Sequence, residues 1–533
     1  MSKASNKLIA IRTTVGVNVG LGHLFRMLRI ANELKKNDKK VVFLINQTNG
    51  VIEKYLNCFN WIALYDSDFD SENFNAIEDA QLCLEFLKNK AIDKVIVDSY
   101  VIGIDWEDRI VAKGYELVVF DDLQREHNCH YLIDQKWQGN LTSHRYDNLV
   151  SDKCKKLLGP AFFSVDKAEK DTKRQEDFVV MLSLGGGGDL QILQDLTLEL
   201  SNSKSIKNII IMPVIGSFAT SKEIFLDLFE GIDNIQPIVN QVNLSKYYQK
   251  TSLFIGALGT MFFEAKMYNI PTITFSLAEN QENDFFDLED FGHYFHLSLG
   301  ALKQTEKMTA LVASVSKHYD RVYKLGLNSK VVLDGSGAKR VVQSLTGQTV
   351  DKYQIYNKKT VSDKGYFLKL SNSLIVRKVN DTDINHYLKA RNLPINSNNM
   401  LVSQDIEAIE HYSWWFNTQR DSYVVELDNE VQLYIWHQKI SFKNKDYLIG
   451  GWFSANEKIG FEIAFSALNW QLDYTNDNFP DATWIAIIKK DNKYVNLLNS
   501  YLKFEAVEEN SAEFYAIEDY FGKVSSEYNY VKK

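Results

Sequence analysis

Asp177-Phe178-Val179-Val180-Met181-Leu182-Ser183-Leu184-Gly185-Gly186-Gly187-Gly188-Asp189 is an apolar run that ends in four glycines and an acid. An unbroken Val/Leu/Met run reads as a strand covered on both faces, which is the situation of a parallel sheet. A glycine turn directly after such a strand lets the backbone approach a ligand closely. Downstream, Lys207–Pro213, Leu253–Ala257 and Thr272–Phe275 repeat the strand pattern, with a helix around Met261–Tyr268 between the last two. Upstream the same alternation is found. Leu8–Arg12 is a short apolar run, and Leu24, Met27, Leu28, Ala31 and Leu34 then mark one face of a helix. Lys40–Asn46, Lys94–Asp98 and Glu116–Asp121 supply further buried strands. The expectation is two successive doubly wound α/β lobes, residues 1–160 and 161–345, with a cleft between them. Ligands bind outside the carboxyl ends of such strands.

Beyond the second lobe, residues 346–372 are polar and without sustained periodicity, and are expected as a linker. Residues 373–533 have a different texture. Short aromatic-rich strands (Tyr423–Leu427, Val431–Trp436, Leu448–Phe453, Thr483–Ile488) alternate with helical stretches, which predicts a third, α+β domain.

At 533 residues the chain is too long for one core. Sixty Lys and Arg against 69 Asp and Glu give a net charge of −9, with no basic tail. Nucleic acid is therefore not the expected partner, because backbone binding needs clustered positive charge. Cys58, Cys83, Cys129 and Cys154 include no C-x-x-C pair, so neither a disulfide framework nor a zinc site is expected. Leu8–Ile11 is too short for a signal segment and no run approaches the ~18 apolar residues of a membrane span. The expected location is the cytoplasm.

Three glycine turns carry the candidate chemistry. In Val19-Gly20-Leu21-Gly22-His23, at the junction of the first strand and helix, His23 stands where a general base would face the cleft. The plain alternative is a turn with a capping histidine. Gly185–Asp189 is the second turn. The third, Gly256-Ala257-Leu258-Gly259-Thr260, is followed by Glu264 and then by Asn280-Gln281. Such a turn can hold a pyrophosphate through backbone N–H groups, and a glutamate one turn on can accept ribose hydroxyls. Glu264 read alone is a solvated helix carboxylate.

Taken in order, G-L-G-H-x-x-R, V-D-S-Y, F-D-D, L-L-G-P, S-L-G-G-G-G-D, G-T-x-x-x-E-A, I-P-T-I, E-N-Q and D-G-x-G-A-K-R resemble the UDP-sugar hydrolase family of pseudaminic acid biosynthesis, over residues 8–345. That family is similar to GT-B glycosyltransferases of the lipid II-forming type. The resemblance implies a GT-B-like pair of lobes and inverting hydrolysis of UDP-2,4-diacetamido-2,4,6-trideoxy-β-L-altropyranose, without metal or cofactor. His23 would act on the attacking water. Arg12, Gly20, Gly22, Gly186, Gly259, Thr260, Glu264, Asn280 and Gln281 would hold nucleotide and sugar. Two departures stand out: the family's R-A-D reads Arg12-Thr13-Thr14, and its A-G-G-S-T reads G-A-L-G-T. Either could redirect the cleft to an alcohol acceptor, which would make it a glycosyltransferase of nucleotide-activated amino sugars or nonulosonates. A nucleotide-sugar-binding protein without catalysis is a third reading.

The C-terminal domain resembles GNAT N-acetyltransferases. The residues concerned are Glu410-His411-x-x-Trp414-Trp415-Phe416, Ile449-Gly450-Gly451-Trp452-Phe453, Ile459–Ala464, Asp491-Asn492 and Leu502-Lys503-Phe504. The resemblance implies acetyl-CoA held by Trp452, Phe453, Lys458, Gly460 and Asn492. The family's frequent tyrosine acid aligns with Asn499, with Tyr501 nearby. A GNAT-like domain that no longer catalyses is the alternative, and Trp414-Trp415-Phe416 read equally well as core. Acetylation and hydrolysis of one nucleotide sugar would be consecutive steps, and tethering raises the local concentration of the intermediate.

Overall fold

The computed structural model describes residues 7–16, 20–48, 50–65, 74–168, 176–185, 187–188, 190–241, 243–276, 285–357, 367–370, 373–523 and 526–533. The chain forms two units, Met1–Thr360 and Val361–Lys533.

Within the first unit, the N-terminal lobe is built on seven described strands. They are β1 (Leu8–Thr13), β2 (Lys40–Ile45), β3 (Asn60–Ala63), β4 (Ile92–Asp98), β5 (Leu117–Phe120), β6 (Tyr131–Asp134) and β7 (Lys155–Leu158). All neighbours pair parallel in the order β3-β2-β1-β4-β5-β6-β7. Alternate residues serve opposite faces. Ile9, Ile11, Phe43, Ile45 and Ile96 pack with helix α1 (Gly22–Lys36) in one core, and Ala10, Val42, Leu44, Val95 and Val97 pack in the other. Two covered faces explain why these strands read as unbroken apolar runs.

The second lobe repeats the plan with β8 (Phe178–Ser183), β9 (Ile209–Ile215), β10 (Ile238–Val239), β11 (Leu253–Ala257), β12 (Thr272–Phe275) and β13 (Phe295–Leu297), and with helix α2 (Thr260–Met267) after β11. Its order is β10-β9-β8-β11-β12-β13, again parallel. The strand order therefore reverses between β1 and β4 in one lobe and between β8 and β11 in the other. The glycine turns after β1, β8 and β11 all follow strands that flank these two reversals, where crevices open at the strand ends.

The boundaries differ from expectation at two points. Helix α3 (Gly337–Leu345), placed by sequence at the end of the second lobe, packs on the first: Val341, Val342 and Leu345 join the core of α1. Gly337 permits this docking, since a Cβ there would collide with the Phe162–Phe163 backbone. The expected linker is also divided. Val332 donates to the Ile355 carbonyl at 3.0 Å and Asn357 to that of Lys330 at 2.8 Å, so this part belongs to the first unit.

The second unit carries a mixed sheet of eight described strands, β14 (Phe367–Lys369), β15 (Leu374–Lys378), β16 (Asp421–Leu427), β17 (Glu430–Phe442), β18 (Lys445–Ser454), β19 (Thr483–Lys489), β20 (Glu505–Ala506) and β21 (Tyr528–Lys532). The order is β14-β15-β16-β17-β18-β19-β21-β20. Strand β14 comes from the tail of the expected linker. Helices α4 (Ala408–Asn417), α5 (Phe461–Asn478) and α6 (Lys493–Tyr501) belong to the same unit. Neighbours pair antiparallel except β18 and β19, which run parallel and pair only at Tyr447–Thr483 and Leu448–Trp484. Among the described residues no helix is long and apolar enough to cross a membrane.

Candidate active site

The first site begins at the end of β1. Gly20 holds φ at +76°, a conformation glycine adopts without strain, and its N–H donates to the Gly16 carbonyl at 2.8 Å. This turn delivers Gly22 as the first residue of α1 and His23 as the second. The His23 Nδ1 lies 2.7 Å from Oδ1 of Asp98, the last residue of β4. Asp98 is wholly buried and also accepts from Arg26, at 2.7 Å from Nε and 2.5 Å from Nη2. Burial would raise the Asp98 carboxyl, but Arg26 and His23 outweigh it and hold it down at about 2. An ionised carboxylate on Nδ1 fixes a proton there and leaves Nε2 as the acceptor. The Tyr100 ring meets the imidazole edge-on, with centroids 4.3 Å apart. Its hydroxyl donates to Asp122 at 3.2 Å, and Arg26 Nη1 reaches the same oxygen at 3.3 Å.

His23, Gly20 and Gly22 line a cleft of about 330 Å³ whose opposite wall is Leu258, Gly259, Thr260 and Phe263 from the second lobe. The structure thus brings the first and third glycine turns to one cavity. Gly259 is the N-cap of α2 with no side-chain capping bond, so the first N–H groups of that helix are available to an anion. Lys136, from the N-terminal lobe, also lines the cleft, its ammonium pulled below the ordinary lysine range by burial and by Arg145.

Other expected positions fall elsewhere. Arg12 is not on the cleft wall. It is fully buried and forks onto Asp79 at 3.1 and 2.6 Å, while Trp106 and Tyr65 donate to the same carboxylate. Its position on β1 aims it at the helix carrying Asp79, which makes it an interior ion pair of the N-terminal lobe. Glu264 sits on α2 with both oxygens engaged: one is ion-paired to Arg29 of α1, and the other accepts from the Tyr248 hydroxyl at 2.9 Å. Arg29 reaches Asp166 as well, at 3.1 Å. This contact ties the two lobes together beside the cleft. Gly186, Asn280 and Gln281 lie outside the described residues.

Asp98, Arg26, Tyr100 and Asp122 are site residues that the sequence reading does not single out. Each lies inside a motif noticed there (G-L-G-H-x-x-R, V-D-S-Y, F-D-D), so a signal existed without an assignment. Asp121, beside Asp122, explains part of the pattern. It accepts from Arg125 at 2.8 Å and Tyr146 at 2.8 Å, and lies 3.2 Å from His127, whose other nitrogen is 2.7 Å from Glu107. The acid pair therefore has one member anchoring the interior and one facing the ligand space.

In the second unit a cavity of about 1050 Å³ opens where β18 and β19 part. Gly450–Ser454 form one side and Trp484 with Ala486–Lys489 the other. Trp452, Phe453, Lys458 and Asn492 all line it. Gly460 stands apart as the N-cap of α5, again with no side-chain cap. Asn492 caps α6, accepting from Val495 N at 3.1 Å. Of the tyrosine-acid candidates, Asn499 lines the cavity, whereas Tyr501 is 63% exposed and packs on Phe461. Tyr494 lines it too; its hydroxyl is buried without a hydrogen-bond partner among the described residues, and burial raises its pKa. His411 donates from Nε2 to the Ile384 carbonyl at 2.8 Å, and burial pulls it down to about 4. Trp415 and Phe416 are core, while Trp414 faces the cavity.

The first unit is thus a two-lobed α/β body with an aspartate-oriented histidine facing a helix start across a cleft, and the second is a mixed α+β body with a split sheet. No protein-family profile matches the chain. The chain is similar to an uncharacterized protein of Methanocaldococcus jannaschii, 23% identical over 487 residues, covering 87% of this chain and 90% of the relative. It is also similar to the spore coat polysaccharide biosynthesis protein SpsG of Bacillus subtilis, 21% identical over 337 residues, covering 62% of this chain and 95% of that one. Among solved structures, MurG of Acinetobacter baumannii aligns with a TM-score of 0.43 at 13% identity, over 64% of this chain and 100% of its own. UDP-GlcNAc 2-epimerase of Neisseria meningitidis aligns at 0.42 and 13%, over 64% and 100%.

Proposed function

We propose that the first unit cleaves the bond between a sugar and the diphosphate of a nucleotide sugar, by inverting hydrolysis of a UDP-linked diacetamido-trideoxy sugar. The observation that carries this reading is the Asp98–His23 pair facing the helix start at Gly259–Thr260. Asp98 keeps the proton on Nδ1, and Nε2 of His23 takes a proton from water as its oxygen attacks the anomeric carbon. The C–O bond to the diphosphate breaks with its electron pair leaving on phosphate. The N–H groups at the start of α2, together with Lys136, meet that growing negative charge. Attack from the His23 side and departure toward α2 place nucleophile and leaving group on opposite faces, which gives inversion.

A second reading is transfer of the sugar to an alcohol. The likeness to a protein named for spore coat polysaccharide biosynthesis favours it. The chemistry differs only in what brings the hydroxyl to His23. For the second unit we propose acyl transfer from acetyl-CoA, with the pantetheine in the gap between β18 and β19 and the pyrophosphate near Lys458 and the start of α5. The stretch of β18 between Leu448, where pairing with β19 ends, and Ser454, whose backbone Asn396 bonds, supports this, because it leaves an edge for an extended ligand.

The test is UDP release from UDP-2,4-diacetamido-2,4,6-trideoxy-β-L-altropyranose, with and without sugar acceptors. Release in water alone, lowered on the order of 10²–10⁴-fold by His23→Ala while UDP affinity holds, supports hydrolysis. Release only with an acceptor moves the reading to transfer. Equal loss of rate and affinity in His23→Ala removes the catalytic role.

A further inference from the structure

The cavity of the second unit holds a cation that the acyl-transfer reading does not use. Four basic side chains line it: Arg391, Arg420, Lys458 and Lys489. Arg391 is spent on the chain, donating to the carbonyls of Val402 and Gln404. Lys489 donates to the Asn398 carbonyl at 3.2 Å, and Lys458 stands before α5 at the cofactor end. Arg420 differs from all three. Its guanidinium lies 3.8 Å from the ring centroid of Trp436 and 5.4 Å from that of Trp414. Among the described residues it forms no ion pair with a carboxylate. An arginine beside two indoles is held in orientation by stacking, and the in-plane N–H groups that do not meet the neighbouring Tyr387 hydroxyl can take an oxyanion.

We propose that Arg420 is the anion-binding residue of an acceptor subsite, gripping a phosphate or carboxylate group of the molecule that is to be acylated. The word acceptor rests on the acyl-transfer reading; the anion site rests on the stacking and on the unpaired charge. Trp436 pairs across the sheet with Gly451, so the clamp stands on β17 beside the glycines of β18, with the cavity reaching both. Glu410, one helical turn before Trp414 on α4, brings a carboxylate to the same cavity.

The experiment uses the full chain labelled with 5-fluorotryptophan, followed by fluorine NMR. The chain has nine tryptophans; Trp414→Phe and Trp436→Phe assign the two clamp signals, and Trp484→Phe assigns that of Trp484. Inorganic pyrophosphate and glucuronate are titrated separately, followed by acetyl-CoA. Saturable movement of the Trp414 and Trp436 signals is expected with pyrophosphate or with glucuronate, and the one that moves them names the anion class. In Arg420→Gln that response should weaken tenfold or more. Arg420→Lys, which keeps the charge and loses the planar stack, should retain part of it with the remaining tryptophan signals unmoved. Clamp signals indifferent to both anions, or a response undiminished in Arg420→Gln, overturn the proposal. The Trp484 signal reads acetyl-CoA independently. If it stays still while the clamp responds, the acyl-transfer reading falls and the anion site stands.

Discussion

Replacing Asp98 by Asn changes one oxygen for an NH₂ group at the junction of β4 and α1, and its consequences separate into stability and rate. In the native protein Asp98 accepts three bonds, at 2.7 Å from His23, 2.7 Å from Arg26 Nε and 2.5 Å from Arg26 Nη2. Its carboxyl falls from 3.8 to about 2, a net preference for the ionised form of about 2 kcal/mol. The neutral amide of Asp98→Asn cannot balance the charge of Arg26, which is left with Asp122 at 3.3 Å. Breaking a buried pair one-sidedly costs ~3–5 kcal/mol, and the partial exposure of Arg26 lowers that, so we expect a loss of about 2–4 kcal/mol in urea unfolding at pH 7. The sign with pH follows from a depressed carboxyl. The stabilisation is complete above the unfolded value of about 4 and is lost as pH falls through the folded value of about 2. The gap between native protein and Asp98→Asn should therefore be constant from pH 8 to 5 and narrow below 4. For the rate, an amide that offers N–H to Nδ1 puts the imidazole proton on Nε2 and removes the base. Turnover should fall on the order of 10²–10⁴-fold, with UDP affinity unchanged because Asp98 is inaccessible to ligand. Turnover within a factor of about two of native, or UDP binding that falls in parallel with turnover, would refute the role assigned to this contact.

Two further outcomes can be measured on the same protein. His127 lies 2.7 Å from Glu107 and 3.2 Å from Asp121; burial opposes its charge, but the two carboxylates prevail and raise it to about 9. Stabilisation from a raised histidine is complete below pH 6.5 and lost as pH rises through 9, so native stability should carry a component of about 3 kcal/mol that disappears over that window. His127→Gln should lack this component in pH-resolved urea unfolding; an unchanged pH slope would contradict it. In the first unit, Arg29 and Glu264 hold each other across the lobes. If Glu264 takes the ribose, Arg29→Ala frees its carboxylate and should tighten UDP binding about twofold to fivefold by calorimetry, within the ~1 kcal/mol range of a partly exposed pair. Glu264→Ala should weaken binding, and weaker binding in Arg29→Ala would show that the pair supports the site rather than competing for it.

The parts of this architecture that were legible in sequence are those encoded locally. Strands β1, β2, β4, β5, β8, β9, β11 and β12 announce themselves because both faces are buried, so most of their residues are apolar. Strands β3 and β7 do not: Asn60–Ala63 and Lys155–Leu158 sit at the sheet edges, half-exposed and mixed in character. The glycine turns were legible because a strand, a glycine cluster and a helical period are contiguous. What makes His23 a base was not, because its carboxylate lies 75 positions away. The two meet only because the chain reverses strand order and sets β4 beside β1. The same argument explains Arg12. A cationic residue at the end of the first strand reads as a ligand for phosphate, yet its partner Asp79 is 67 positions on and inside the lobe. Sequence order places a side chain on a strand, and only the neighbouring strand or helix decides whether it meets solvent, ligand or an opposite charge.

Gly450 and Gly451 illustrate the converse, a local signal whose cause is distant. Two adjacent glycines in a strand suggest close approach of a ligand to the backbone. A Cβ on Gly450 would stand 2.5 Å from the Trp436 carbonyl oxygen and 2.7 Å from the Trp484 ring, so the first glycine is demanded by aromatics of the two flanking strands. On Gly451 a Cβ would be 3.4 Å from Trp436 Nε1, a tight but tolerable contact. The indole beside Gly451, that of Trp436, is also the one on which Arg420 stacks. Glycine content here reports how Trp436 and Trp484 are seated, and through them where the cavity can open between β18 and β19.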